Sequence, residues 1–241
     1  MRLPRYAPII EWCRGETATH NRRYDEMANG KVAAPKLQLT LPEYNRIYEV
    51  IYSVLEGRAN TPFACMFFAT VGALILNEHY MIASRPVAGA FLLCVDPTPS
   101  VISIAKNEDG LVTSDLDGFH MWVQTRTHVI DFMAPIFNES IEGKGYHKTV
   151  PRKMFQRHLS TEAESIEELR APGDYFTLPN IELTNERVRT FMGRPTYMDL
   201  LCAANRWFKK HPKKLDDLSL LNDLSEVRKL TLSAPLISGA W

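Results

Sequence analysis

The alternation of apolar and polar positions changes character along the chain. Over PEYNRIYEVIYSVLEGR, residues 42–58, Tyr44, Ile47, Tyr48, Ile51 and Leu55 recur at helical spacing, which predicts an amphipathic helix with Thr40 as N-cap and Gly57 near its stop. The next run, NTPFACMFFATVGALILNEHY, is apolar nearly all round through Phe63, Met66, Phe67, Val71, Leu74, Ile75 and Leu76. A helix buried in the middle of a domain has that pattern. Thr61 can cap it, and Pro62 suits its first position because the fixed φ of proline is already helical. Cys65 falls in its first turn.

After Asn77 the runs become short and β-rich: MIAS, VAGAFLLCV and VISIA, punctuated by Arg85-Pro86 and by Asp96-Pro97-Thr98-Pro99. GFHMWVQ and HVIDFMA flank the polar linker Thr125-Arg126-Thr127 and predict a β-hairpin, giving a four- or five-stranded antiparallel sheet. Beyond Pro135 the pattern weakens into a loop with Gly143 and Gly145, and the acidic stretch Glu162 to Glu168 could begin a surface helix. Helical periodicity returns from Thr184, notably in TYMDLLCAANRWFKKH, and a polar helix is expected around Leu220 to Leu230. Helices, then a sheet, then helices make an α+β arrangement rather than alternating βαβ units. One domain over residues 1–241 is the expectation, with an irregular arm over 1–40, a core over 41–135 and a loop and helical part over 136–241.

Charge does little to narrow the partners. Lys+Arg and Asp+Glu stand at 28 each, so no global field draws the chain to nucleic acid or to an anionic membrane. The one basic cluster, Lys209-Lys210-His211-Pro212-Lys213-Lys214, ends an expected helix, where lysines complement the dipole. No stretch is long and apolar enough to span a bilayer, and the first thirty residues lack the apolar run of a signal peptide, so a cytoplasmic chain is expected. Cys13, Cys65, Cys94 and Cys202 are scattered without C-x-x-C or zinc-finger spacing, which predicts free thiols and no metal site. Phosphate-loop, dinucleotide and zinc-protease motifs do not occur, so no cofactor is expected.

A cysteine becomes a useful nucleophile when it ionises near neutral pH, and two devices promote this: the positive end of a helix dipole and an imidazolium neighbour. The Thr61-Pro62 start brings the first to Cys65. Of seven histidines, His120 lies on an expected strand among Phe119, Met121 and Trp122, whereas His128 sits beside the hairpin turn and is expected to be solvated. If Thr125-Arg126 is a two-residue turn, His120 lies directly opposite Asp131, whose carboxylate could accept one ring N–H while the other nitrogen addresses the thiol. A three-residue turn would put Asp131 on the other face. Each residue also has a plainer reading: Cys65, like Cys94 and Cys202, as buried packing, Asp131 as a salt bridge or turn cap, and Trp122 as core.

Taken together, TPFACMFFA around Cys65, FHMWV around His120 and HVIDF around Asp131 resemble the transglutaminase-like, arylamine-acetyltransferase-like and lasso-peptide leader-peptidase enzymes. In those papain-like and transglutaminase-like folds a buried central helix packs on an antiparallel sheet, and Cys, His and Asp follow one another in the same order. The resemblance covers roughly residues 60–135 and implies acyl chemistry by Cys65, His120 and Asp131 through a thioester, without a cofactor. It also implies an oxyanion hole made by the Cys65 N–H and an upstream side-chain donor, for which Asn60 is the candidate. Papain-like enzymes usually carry Gln there, and the C-G-[SA]-C-[WY] signature is absent, so true papain-type proteolysis is less expected. Trp122, two residues after His120, would wall the substrate channel or join the core.

The reading that results is a cysteine-dependent peptidase, amidase or acyl transferase acting on a peptide, amide or ester small-molecule substrate, with no nucleic acid or membrane partner. Oligomeric state is left open. The rival is a catalytically silent binding or scaffold protein on the same fold, with Cys65 enclosed by Phe63, Phe67 and Leu74.

Overall fold

Helix α1 (Leu41–Leu55) begins where the cap spacing places it: the Glu43 carboxylate reaches back to accept the Thr40 N–H at 2.9 Å. It buries Tyr44, Ile47, Tyr48 and Ile51, and it stops at Gly57, whose φ of +72° is left-handed backbone that glycine adopts without penalty. The computed structural model describes residues 37–98, 100–221 and 225–241. The arm expected over residues 1–40, together with Cys13 and His20, therefore lies almost wholly outside the described residues.

The second helix starts later than its sequence suggests. Thr61–Phe63 form a 3-10 turn, closed by Phe63 N–H to the Asn60 carbonyl (3.0 Å) and Ala64 N–H to the Thr61 carbonyl (3.2 Å). Helix α2 runs Cys65–Ile75, so Cys65 is its first residue rather than a member of a turn begun at Pro62. From Phe67 to Ile75 every residue of α2 is buried, as the all-round apolar pattern requires. The chain then finishes in a π-helical turn, Leu76–Tyr80, and MIAS contributes to the sheet only through Ser84.

Strand β1 (Ser84–Asp96) is the spine of the sheet. It continues through Arg85-Pro86, read from sequence as a break, because losing one N–H at Pro86 removes a single ladder donor without ending the strand. Strands β2 (Ser100–Ile104), β5 (His120–Thr125), β6 (His128–Asp131), β7 (Phe155–His158) and β8 (Tyr175–Pro179) complete a six-stranded antiparallel sheet in the order β2-β1-β5-β6-β7, with β8 also paired to β1. The expected four or five strands missed β7 and β8. A small hairpin, β3 (Lys106–Glu108) and β4 (Leu111–Thr113), was also missed although Asp109-Gly110, both at positive φ, is a strong hairpin signal.

The remaining helices are α3 (Phe137–Glu142), α4 (Ile181–Met192) and α5 (Pro195–Trp207). Helix α2 packs on β1 and β5, with α1, α4 and α5 around it. Its close approach depends on Gly72, where a Cβ would lie 2.4 Å from the Phe132 ring. The architecture is α+β.

Three sequence expectations are corrected here. The polar helix around Leu220 to Leu230 is instead a hairpin of β9 (Ser219–Leu221) and β10 (Val227–Lys229), held by the Leu230 N–H to the Leu218 carbonyl and by burial of Leu230. The acidic stretch forms no α-helix: Glu162 accepts the Thr177 N–H (2.8 Å) and Glu168 accepts the Glu164 N–H (2.9 Å), so these carboxylates pin a loop. Cys202, expected as packing, is exposed on α5. Among the described residues no helix is long and apolar enough to cross a membrane.

Candidate active site

The β5–β6 hairpin turns on Arg126-Thr127, not on Thr125-Arg126. Its recorded pairs, Val123 with Ile130 and Gln124 with Val129, continue to set Asp131 across from Trp122 and His120 one step further along. The direct opposition of His120 and Asp131 is thus corrected to a diagonal. Because the ladder slips by an even step, both side chains keep the same face, and a diagonal is within reach of an imidazole and a carboxylate. Nε2 of His120 and Oδ2 of Asp131 stand 2.7 Å apart, with each residue 1% exposed.

Every acceptor of Asp131 is engaged. Oδ2 takes the His120 ring, Oδ1 takes the Met133 N–H at 2.8 Å, and its main-chain carbonyl takes the Tyr44 hydroxyl. The carboxylate therefore has one orientation. The ring of His120 is enclosed by Phe91 and Phe137, whose centroids lie 5.2 and 5.5 Å away. Across the ladder its partner is Gly89, where a Cβ would lie 2.1 Å from the Leu178 carbonyl oxygen; the close approach of β8 demands glycine.

Burial pushes the His120 ring down, but the charge and hydrogen bond of Asp131, together with the side chain of Cys65, outweigh it and hold the ring up to about 10. Cys65 is one of the two side chains that raise the ring, which places it beside His120. With Nε2 committed to Asp131, Nδ1 is the nitrogen left for the thiol. The ring on β5 thus joins the carboxylate on β6 directly and has Cys65 of α2 as its other titratable neighbour.

Cys65 opens this group to solvent, being half-buried, with Phe63 46% exposed two residues earlier. Of the three residues expected to enclose it in the scaffold reading, Phe67 and Leu74 are buried and Phe63 is not. As the first residue of α2, Cys65 has an N–H with no intrahelical acceptor, and it finds no backbone acceptor among the described residues. Ser140 on α3 ties the preceding turn down by donating to the Pro62 carbonyl at 2.6 Å. Asn60 is exposed at the start of that turn and makes no side-chain cap hydrogen bond, so its carboxamide is uncommitted by the turn.

Trp122 is placed differently from its reading as a channel wall. It is fully buried, 6.0 Å from Phe91 by ring centroids and paired with the buried Val87 across the ladder, and it joins the core. His128, expected to be solvated, is also buried, with its ring 5.1 Å from that of His158 and Nδ1 2.8 Å from the Thr127 hydroxyl. Its neighbour across β6–β7 covers it, which a hairpin considered alone does not show. Among the described residues no cluster of His, Cys, Asp and Glu has the arrangement of a metal site.

Tyr44, Ser140 and Gly89 were missed as supports of the site. Their signals, a helix-face tyrosine, a mid-helix serine and a strand glycine, gain meaning only once distant elements meet.

Residues 40–241 match the model of a family described as a protein of unknown function, DUF2026. A crystal structure described as that of genomics APC5867 is similar, with a TM-score of 0.74 at 33% identity, covering 86% of this chain and 98% of the other. No curated protein matches the sequence.

Proposed function

We propose, for a chain that belongs to the DUF2026 family, a cofactor-independent cysteine hydrolase or acyl transferase in which Cys65 is the nucleophile, His120 the proton carrier and Asp131 the group that orients it. The observation that carries this is the buried 2.7 Å bond between Nε2 of His120 and Asp131, in a ring that the half-buried Cys65 at the start of α2 also raises. A buried imidazole–carboxylate pair is costly to build and weak evidence of stability on its own, which favours a chemical role for it. The helix packed on an antiparallel sheet, with Cys, His and Asp in that order, supports a transglutaminase-like or papain-like site.

In this reading the sulfur of Cys65, its proton held by Nδ1 of His120, attacks the carbonyl carbon of an amide or ester. A C–S bond forms and the carbonyl oxygen takes the negative charge, facing the Cys65 N–H and the Asn60 carboxamide. As the intermediate collapses, the C–N or C–O bond breaks and the imidazolium gives its proton to the leaving group. The neutral ring then removes a proton from water or an amine, which attacks the thioester and returns the thiol. Asp131 stays ionised and holds the tautomer. Amide or peptide hydrolysis ranks first, on a small-molecule or peptide substrate in the cytoplasm, a setting that suits the free thiols of Cys65, Cys94 and Cys202.

Iodoacetamide labelling read by mass spectrometry tests it. Cys65 is expected to react much faster at pH 7 than Cys94, whose thiol burial pushes up, and faster than the exposed Cys202. Electrophilic peptide and ester probes are expected to label the wild type and not Cys65→Ala. Equal reactivity of Cys65 and Cys202 would remove the activated thiol and leave a scaffold.

A further inference from the structure

Tyr44 reaches the site from the far side. It lies on α1, fully buried, and its ring packs on Phe132 with centroids 5.0 Å apart. Packing alone would be served by phenylalanine, since a buried hydroxyl is costly unless it is bonded. Here the hydroxyl donates to the main-chain carbonyl of Asp131 and accepts the Phe155 N–H at 3.4 Å. Asp131 and Phe155 are partners across the β6–β7 ladder, so one hydroxyl joins α1 to both strands at the residue that bears the carboxylate. β6 ends there, which leaves the Asp131 carbonyl dependent on what caps it.

We propose that Tyr44 is a positioning residue for the Cys65–His120–Asp131 line: by anchoring the Asp131 carbonyl to α1, it holds the carboxylate against Nε2 of His120. This rests on the proposed reading of that line. With the carbonyl held by Tyr44 and Oδ1 held by the Met133 N–H, Oδ2 has no freedom except toward the ring. Without the hydroxyl, the carbonyl and the Phe155 N–H lose a partner in a place that water does not reach. The strand end relaxes and the 2.7 Å bond lengthens.

The titratable groups acting on the ring are Asp131 from β6 and Cys65 from α2; from β1 and α3 it meets the uncharged Phe91 and Phe137. Those acting on Tyr44 are Asp131 and, one turn along α1, Tyr48. Since burial opposes the imidazolium and Asp131 upholds it, the ring reports on any loosening of the carboxylate.

The test is an NMR titration of the His120 ring, assigned through His120→Gln, in the full chain and in Tyr44→Phe. The midpoint is expected to fall by about one pH unit or more in Tyr44→Phe. Tyr48→Phe is the control: it deletes the same atom from the same helix, where the hydroxyl is buried and has no hydrogen-bond partner among the described residues, and its midpoint is expected to match the wild type. A Tyr44→Phe midpoint equal to wild type, with only a lower melting temperature, would make Tyr44 a packing residue and overturn the proposal. Should Tyr44→Phe not fold, 4-aminophenylalanine at position 44 keeps a donor and is expected to keep the midpoint, while 4-methylphenylalanine fills the space without one and is expected to lower it; equal midpoints overturn the proposal. The titration decides the role of Tyr44 whether or not Cys65 proves reactive, so a failure of the nucleophile reading is visible separately, in the labelling of the wild type.

Discussion

Gly72 on α2 and Phe132 just beyond β6 meet so closely that a Cβ on the glycine would lie 2.4 Å from Cδ2 of the ring and 3.3 Å from Val123. This contact sets the distance between the helix that carries Cys65 and the strands that carry His120 and Asp131. In the proposed site the mouth of α2 addresses the ring because the helix lies this close to the sheet seven residues further on.

Gly72→Ala is therefore expected to destabilise the fold by about 1–3 kcal/mol, the usual cost of overpacking a tight core. It is also expected to slow Cys65 alkylation, because the helix must retreat from β5. Denaturant melts and alkylation rates at pH 7 check both. Gly89→Ala, which would drive a methyl against the Leu178 carbonyl, is expected to cost at least as much, since backbone yields less readily than a ring. A Gly72→Ala variant as stable and as reactive as wild type would show that the spacing is not critical.

Removing the carboxylate separates orientation from charge. Asp131→Ala strands the His120 ring and the Met133 N–H and is expected to cost on the order of 3–5 kcal/mol. Asp131→Asn keeps the shape but puts a donating NH2 where one of two accepting oxygens stood, so with the Met133 N–H still bonded the His120 ring must take its other tautomer, and the charge that upholds the imidazolium is lost; turnover of an ester or amide probe is expected to fall by about 10²-fold or more with a smaller loss of stability than Asp131→Ala. The check is probe hydrolysis alongside thermal melts; an Asp131→Asn variant with full activity would reduce Asp131 to a structural tie.

The raised His120 value carries a stability signature of known sign. The ring binds its proton more tightly in the native state, up to about 10, than at its ordinary value of 6.5. The stabilisation is fully present below pH 6.5, declines as pH rises, and is lost once pH has passed through about 10. Melting temperature is expected to fall over that window in the wild type and to fall less steeply in His120→Gln. Parallel slopes in the two proteins would mean that another group titrates there.

The candidate residues were legible in the sequence because each sits in a strong local pattern. Cys65 follows a proline turn into an all-apolar helix, and His120 and Asp131 occupy opposite arms of a hairpin made of two short apolar runs around a polar linker. The parity of the hairpin was recoverable even though its turn residues were misplaced, since a two-residue error in the ladder returns each side chain to the same face. What was not legible depended on contacts between distant segments. Trp122 shares the His120 face, but whether that face is open is decided by Phe91 and its surroundings on another strand. β7 and β8 lie in a stretch of weak periodicity and exist because β6 and β1 offer them edges. The Leu220 to Leu230 segment has leucines at nearly helical spacing, and pairing outweighed propensity there.

Asn60 offers the sharpest division between activating a thiol and stabilising an oxyanion. Its side chain is exposed and makes no cap bond with the turn it begins, so Asn60→Ala is expected to leave stability within about 0.5 kcal/mol of wild type. Alkylation of Cys65 by iodoacetamide displaces iodide at a saturated carbon and develops no charge on a carbonyl oxygen. Its rate is expected to be unchanged. Hydrolysis of an amide or ester probe passes through a tetrahedral oxyanion, and loss of one of its two donors is expected to lower the rate by about 10²–10³-fold. Equal effects on both reactions would mean that Asn60 acts on the thiol or on the turn before it. No effect on either would leave the Cys65 N–H, with no backbone acceptor among the described residues, as the donor on which the oxyanion depends.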